Sequence, residues 1–164
     1  MRTVMRIHLP VLLFVACAAV ARLGHAQQIA VQIDSDAPVH VVASDISGMP
    51  HQKISVDVHG KTVSYEGVPL RLVLEKAGMV FGDSMHSKRN SSYLLVEAAD
   101  GYRVVFALPE LDPAFTDRVI LLADRADGHP LDNKEGPFHI IVPGEKRMAR
   151  WVRQVTSLKV VQAP

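Results

Sequence analysis

A strict alternation of apolar and polar side chains over residues 53–59 constrains the fold more than any other feature of the sequence. Ile54, Val56 and Val58 fall on one side of this segment, and the residues between them are polar. A period of two is typical of a strand with one buried face. Because residues 59–61 carry a turn signal with a central glycine, the chain is expected to return there as the partner strand of a hairpin.

The remaining patterns predict a sheet-rich domain with one good helix. Asp100-Gly101 lies between two apolar runs and is a strong hairpin signal. Pro69 and Gly78 bound a segment in which apolar residues recur at helical spacing, so a helix is expected between them. With about seven strands and one such helix, the pattern predicts a β-rich α+β domain. The sequence contains no glycine-rich phosphate loop.

The first 26 residues have the features of a secretory signal peptide. Arg2 and Arg6 precede an apolar segment that is too short for a stable membrane span, and Ala26 ends a cleavage site of small residues. A cut before Cys17, which would leave a cysteine that can carry lipid, is the alternative. We therefore expect a periplasmic or secreted protein with no membrane span after processing.

Cleavage after Ala26 would leave 138 of the 164 residues, the size of one domain. Residues 27–43 are expected to form a lead-in with short strands, and residues 44–164 the domain itself. This mature chain has 15 basic and 17 acidic residues, a net charge of −2, which argues against a nucleic-acid partner. It also has no cysteine, so no disulfide or thiolate is available, and no histidine spacing predicts a metal site.

A basic cluster follows an apolar run and a tight turn in the last 30 residues. Residues 138–142 lead into Pro143-Gly144, and four basic residues follow within the next nine positions: Lys146, Arg147, Arg150 and Arg153. Guanidinium groups beside the free amides of a turn suit a phosphate, sulfate or carboxylate group. We predict that Lys146, Arg147 and Arg150 bind an anion. The alternative is a solvated basic edge on a strand.

Eight short segments occur in an order that points to a known family. They are residues 65–70 (YEGVPL), 75–78 (EKAG), 100–102 (DGY), 121–123 (LLA), 128–131 (GHPL), 136–137 (GP), 142–144 (VPG) and 150–152 (RWV). Together they resemble the molybdopterin-binding domain of the sulfite oxidase family, which includes bacterial periplasmic reductases of oxidised methionine. The resemblance covers about residues 44–161 and implies that family's compact mixed α+β fold.

The resemblance also implies a cofactor and a pocket. The family's cofactor is molybdopterin, and Lys146, Arg147 and Arg150 match the region that holds its phosphate end. By the same resemblance, Asp100 and Tyr102 rim the family pocket, so these five residues are the predicted binding residues.

Two departures from the family bear on function. Family enzymes hold molybdenum partly through a cysteine thiolate on a segment that corresponds roughly to residues 55–59, and no cysteine stands there. In addition, Arg2 and Arg6 are separated, so the leader has no twin-arginine pair for export of a protein already folded around its cofactor. Both departures argue against catalysis, although the family is one of oxidoreductases.

We therefore expect a non-catalytic module that binds a small anionic ligand and carries no cofactor. One alternative is a molybdopterin-dependent oxidoreductase with Ser55, Asp57 or His59 as the metal ligand. Another alternative is a docking partner of a second envelope protein. A ligand site needs the basic side chains to converge near the turn at residues 143–144, whereas a docking surface needs exposed apolar residues beside spread charges.

Overall fold

The structure is a computed structural model that describes residues 28–82, 85 and 87–163. The predicted signal peptide, with both possible cleavage positions, lies outside the described residues. In the described part of the chain, no helix has the length and apolar character needed to cross a membrane.

Strands dominate the described residues, and two short α-helices accompany them. In chain order the elements are β1 (Gln28–Ile33), β2 (Val39–Val42), α1 (Ala43–Ser47), β3 (Gln52–Val58), β4 (Lys61–Pro69), α2 (Leu70–Lys76), β5 (Ser92–Ala98), β6 (Arg103–Ala107), β7 (Leu121–Ala126), β8 (His129–Pro130), β9 (His139–Ile141) and β10 (Val155–Gln162). Short 3₁₀ segments lie at Ser87–Ser91, Leu108–Leu111 and Met148–Arg150. The predicted β-rich α+β class is confirmed.

Two sheets form the scaffold. The first has the strand order β2-β1-β10-β5-β6, and the second has the order β3-β4-β7-β8, with β9 also paired to β7. Within the first sheet, β1 pairs with β10 in parallel, while β10 pairs with β5 antiparallel. The expected lead-in strands β1 and β2 are therefore part of this sheet.

Both hairpins expected from the sequence are present. β3 and β4 pair antiparallel with Val56 opposite Val63, and His59 and Gly60 make the turn with φ of 54° and 82°. β5 and β6 pair across the turn that contains Gly101, whose φ is also 82°. Local turn chemistry explains both hairpins, because positive φ favours glycine and the polar residues that tolerate it.

The second sheet is packed on both faces. Leu122 and Ile140 belong to the main core, which also contains the inner face of the first sheet and the apolar side of α2. On the other face, Leu121, Ala123 and Ile141 form a smaller cluster against Ile54, Val56 and the rest of the apolar side of β3. All three residues of β9 are buried, which accounts for a run over residues 138–142 that is apolar apart from His139.

The strands β4 and β7 approach each other most closely at Gly67. A Cβ atom at this position would lie 2.2 Å from the Leu122 carbonyl oxygen and 2.4 Å from the Ala123 Cα atom. Only glycine leaves room for this approach. The register shifts between Glu66 and Gly67, and Tyr65 then pairs with Ala126. This close approach fixes the part of β4 that carries Tyr65.

Candidate functional site

A cleft with a volume of about 870 Å³, lined by charged groups, lies between the turns of the two sheets and the C-terminal segment. We call it the main cleft. Its walls come from the end of β3, the turn between β5 and β6, the segment before β9 and the segment before β10. The lining residues are Val58, His59, Tyr65, Ala98, Asp100, Tyr102, Asn133, Lys134, Glu135, His139, Met148, Ala149, Trp151, Arg153 and Gln154.

Three aromatic rings meet at the buried end of the main cleft. Tyr65, His139 and Trp151 contact one another edge to face, with ring centroids 5.8 to 6.3 Å apart. Trp151 is held further by its Nε1, which donates to the Val142 carbonyl oxygen at 3.0 Å. Because each ring packs against the other two, the three form a rigid surface.

His139 is buried, with 4% of its surface exposed. It is a polar residue in β9, whose other two residues are isoleucines. Burial, and then the positive charge of Arg153, lower its pKa to about 4, against the opposing effect of a hydrogen bond with the Trp151 backbone. The imidazole is therefore neutral at pH 7. Within the described residues its Nδ1 has no hydrogen-bond partner.

Glu135 is an ionisable group close to that nitrogen. Its Oε2 lies 3.8 Å from His139 Nδ1, which is too far for a hydrogen bond, and a neutral imidazole makes no ion pair. Burial and the negative charge of Asp132 raise the pKa of Glu135, while Arg153 opposes the shift. Burial, and then the charges of Glu135 and Asp127, raise the pKa of Tyr65.

A second, smaller cleft of about 510 Å³ adjoins the first, because His59 and Met148 line both. We call it the side cleft. It is lined by Asp57, His59, Glu145, Lys146, Arg147 and Met148.

Four cations line the two clefts outside any ion pair of the described residues, although Arg153 lies near enough to Glu135 for its charge to lower the pKa of that carboxyl group. Lys134 and Arg153 line the main cleft, and Lys146 and Arg147 line the side cleft. None of the four forms an ion pair within the part of the chain that the structure describes. Their charges are available to a ligand.

Arg150 does not join Lys146 and Arg147. Its Nε donates to Glu145 at 2.8 Å, and its Nη1 and Nη2 donate to the two carboxylate oxygens of Glu110 at 3.2 Å each. The guanidinium also lies over the Phe106 ring, 4.6 Å from its centroid. Arg150 lines neither cleft. It ties the segment that carries Lys146 and Arg147 to the segment around Glu110.

Asp100 and Tyr102 both line the main cleft, and each also makes a structural contact there. The Tyr102 hydroxyl donates to the Ala149 carbonyl oxygen at 2.7 Å, and Asp100 Oδ1 accepts from the Tyr102 backbone at 2.9 Å. The hairpin turn is thereby held against the segment before β10. Of the five predicted residues, the structure brings these two to the main cleft and Lys146 and Arg147 to the side cleft.

Sequence reasoning did not select several cleft residues, namely Tyr65, Lys134, Glu135, His139 and Arg153. One signal for His139 was present, because it is the single polar residue in an otherwise apolar run over residues 138–142. A histidine in such a run must be buried, and a buried polar side chain needs an explanation.

The residues considered as metal ligands are on or beside an edge strand. Ser55 and Asp57 are exposed on β3, and Asp57 Oδ1 accepts from the Gly60 backbone at 2.8 Å. Only Asp57 and His59 reach the side cleft. Among the described residues, no group of three or more His, Cys, Asp or Glu could hold a metal ion.

Comparison with known proteins identifies a family. The family model for the oxidoreductase molybdopterin binding domain matches residues 28–164. Among solved structures, the sulfane dehydrogenase SoxCD from Paracoccus pantotrophus is similar, with a TM-score of 0.63, 18% sequence identity and alignment over 83% of this chain. The aligned part is 38% of that chain, and at this identity the likeness concerns the fold. A search of curated proteins found no match.

Proposed function

Since the chain belongs to the oxidoreductase molybdopterin-binding domain family, as the sequence resemblance predicted, we propose that it uses the family fold to bind a small anionic ligand. The proposed site comprises the main cleft and the side cleft. The observation that carries the proposal is the set of four cations that line these two adjoining clefts and form no ion pair within the described residues.

Four acidic residues line the same clefts. Glu145 accepts from Arg150, and Glu135 lies near Arg153, whose charge lowers its pKa. The other two stabilise turns. Asp57 and Asp100 each accept from a backbone amide in a turn, and Asp132, beside the main cleft, accepts from the amides of Lys134 and Glu135. Their carboxylates stabilise turns, whereas the cations nearby have no such partners. An oxyanion would therefore find hydrogen-bond donors that are already in position.

The family resemblance would require a protein side chain that ligates molybdenum. The residues present at the corresponding positions do not fit that role. The corresponding segment offers a hydroxyl at Ser55, a carboxylate at Asp57 and an imidazole at His59. A soft thiolate is absent there, and Asp57 already closes a turn. We therefore assign no reaction step to a metal centre and propose a binding module.

Thermal unfolding with inorganic phosphate or sulfate tests this function. Either anion should raise Tm by about 3 °C or more at a concentration tenfold above Kd. The double variant K146A/R147A and the double variant K134A/R153A should each lose most of that shift. Lys159, which lies on the outer face of the first sheet without an ion pair, provides the control K159A. If K159A reduces the anion-dependent rise in Tm as strongly as the cleft variants do, the proposal is wrong.

An oxidoreductase remains the second candidate, because the family is one of oxidoreductases. Metal analysis of the protein from its native source distinguishes the two. About one molybdenum per chain, together with turnover of sulfite or a sulfoxide, would overturn the binding-module proposal and direct attention to Asp57 and His59. We expect neither the metal nor the turnover.

A docking role has less support. The exposed apolar side chain of Val105 lies in a shallow hollow with Tyr93 and Leu95 on the outer face of the first sheet. The four cations outside ion pairs instead line the two clefts, so this hollow and the charges lie in different places. Recovery of an envelope protein that still binds K146A/R147A, with no anion changing Tm, would favour docking.

A further inference from the structure

Each of the two clefts carries its own pair of cations. Lys146 and Arg147 are neighbours in the chain and line the side cleft, whereas Lys134 and Arg153 come from two separate segments and line the main cleft. Volumes of about 510 Å³ and about 870 Å³ are in the range of sites that hold a whole small molecule rather than one inorganic anion. The two clefts therefore provide two places for negative charge on a larger ligand.

Gln154 brings the two cations of the main cleft together. Its backbone N–H donates to the Glu135 carbonyl oxygen at 3.0 Å, and its Nε2 donates to the Asn133 carbonyl oxygen at 2.7 Å. Lys134 lies between these two acceptors in the chain, and Arg153 directly precedes Gln154. The two hydrogen bonds thus hold the backbone of Lys134 beside that of Arg153, so the two cations can act on one anionic group.

The two pairs of cations are separated by a short segment. Met148 lines both clefts, and the Trp151 backbone N–H donates to its carbonyl oxygen at 3.0 Å, which closes a single 3₁₀ turn. From the rise of a 3₁₀ turn and the length of extended residues on either side, the Cα atoms of Arg147 and Arg153 are at most about 17 Å apart. Because basic side chains are long, their charged ends can meet anionic groups that are closer together than this.

The wall that the clefts share is fixed. It consists of His59 and Met148, which line both clefts. The residues that follow Met148 are anchored, since the Tyr102 hydroxyl donates to the Ala149 carbonyl oxygen and Arg150 bonds two glutamates. A site whose parts are held in place before binding loses less conformational entropy when a ligand enters.

We propose that one ligand occupies both clefts: a small molecule with two anionic groups, one in the main cleft and one in the side cleft, joined by a linker that passes His59 and Met148. This proposal rests on the proposed anion-binding function and specifies its ligand class. Once one anionic group is bound, the second binds from within the same complex, so the affinity is highest when the linker matches the distance between the two pairs of cations.

The test uses a series of α,ω-alkane bisphosphonates, from the ethane to the decane compound, each compared with the monophosphonate of the same chain by isothermal titration calorimetry. We expect the ratio of the two affinities to pass through a maximum of about tenfold or more at an intermediate chain length. The double variants K146A/R147A and K134A/R153A should each lower this ratio to about two at every length, because a molecule with two equivalent ends has twice the chance of binding by one.

A matched control and the contradicting outcomes complete the test. R125A/K159A removes two cations that line neither cleft, and it should keep the maximum of the wild type. A wild-type ratio that does not depend on chain length would overturn the proposal of one ligand in both clefts while leaving anion binding in place. A maximum that survives in either cleft variant would also overturn it, since both anionic groups would then bind in one cleft. If neither the monophosphonates nor the bisphosphonates bind, the proposed function itself is wrong.

Discussion

The guanidinium of Arg150 makes a two-pronged contact with Glu110, in which Nη1 and Nη2 donate to Oε1 and Oε2 at 3.2 Å each. Burial alone would raise the pKa of Glu110, but the hydrogen bond from Arg150 and the other contacts hold it below its usual range. Arg150 also donates to Glu145. The segment between Glu145 and Arg150, which carries Lys146 and Arg147, is therefore closed by one side chain that is itself attached to Glu110.

Replacing Arg150 with lysine should therefore destabilise the fold although the charge is kept. Lysine cannot make the two parallel hydrogen bonds, and we expect a loss of about 1 kcal/mol in the free energy of unfolding, measured in urea. The control is R103K in the exposed Arg103–Glu97 pair, which should change stability by less than about 0.5 kcal/mol. Equal losses in the two variants would refute a special role for Arg150.

Stability should fall as the pH drops below the usual pKa of histidine. The pKa of His139 in the folded protein is about 4 against 6.5 when unfolded, so the unfolded chain binds the extra proton between these values. The contribution of the neutral imidazole is complete above pH 6.5 and is lost as the pH falls toward 4, on the order of 2 kcal/mol by pH 5.

Urea unfolding at pH 7 and pH 5 measures this loss. His139→Phe keeps the aromatic contacts and has no proton to bind, so its stability should change less over the same interval. If the variant and the wild type lose the same free energy, His139 is not the group responsible.

The charge of Arg153 should be measurable at His139. Since that charge lowers the pKa of the imidazole, Arg153→Ala should raise it. An NMR titration of the His139 ring would detect the change, and Arg125→Ala, which removes a cation that lines neither cleft, should leave the titration as it is. If the midpoint of the His139 titration is unchanged in Arg153→Ala, the charge of Arg153 does not act on His139.

Gly67→Ala should be severely destabilising, by about 3 kcal/mol or more, because the added Cβ would overlap the backbone of β7. Gly48→Ala is the matched substitution. Its φ is −85° and its nearest atoms would lie 3.6 Å from the new Cβ, so we expect a change within about 1 kcal/mol. Thermal unfolding of the two variants distinguishes the cases; similar Tm values would mean that β7 can move away.

Local rules in the sequence were enough for the hairpins, because alternation and turn residues act over a few positions. The same local rules could not predict which basic residue of the C-terminal cluster forms an ion pair and which lines a cleft. Arg150 and Arg153 have the same chemistry and are three positions apart, yet Arg150 meets Glu110 and Arg153 faces the main cleft. That difference depends on residues distant in the sequence, as does the neighbourhood of Glu135 and His139.

The parallel pairing of β1 with β10 has a consequence for the order of folding. β10 lies between β1 and β5, so neither strand has its central neighbour until residues 155–162 have been made. Before that point β1 and β5 present open edges, and closing the sheet requires contacts between the two ends of a long stretch of chain. The first sheet is therefore completed only after residues 155–162 have been translated, and a chain shortened within β10 would lose the connection between the β2-β1 pair and the β5-β6 pair rather than a single edge.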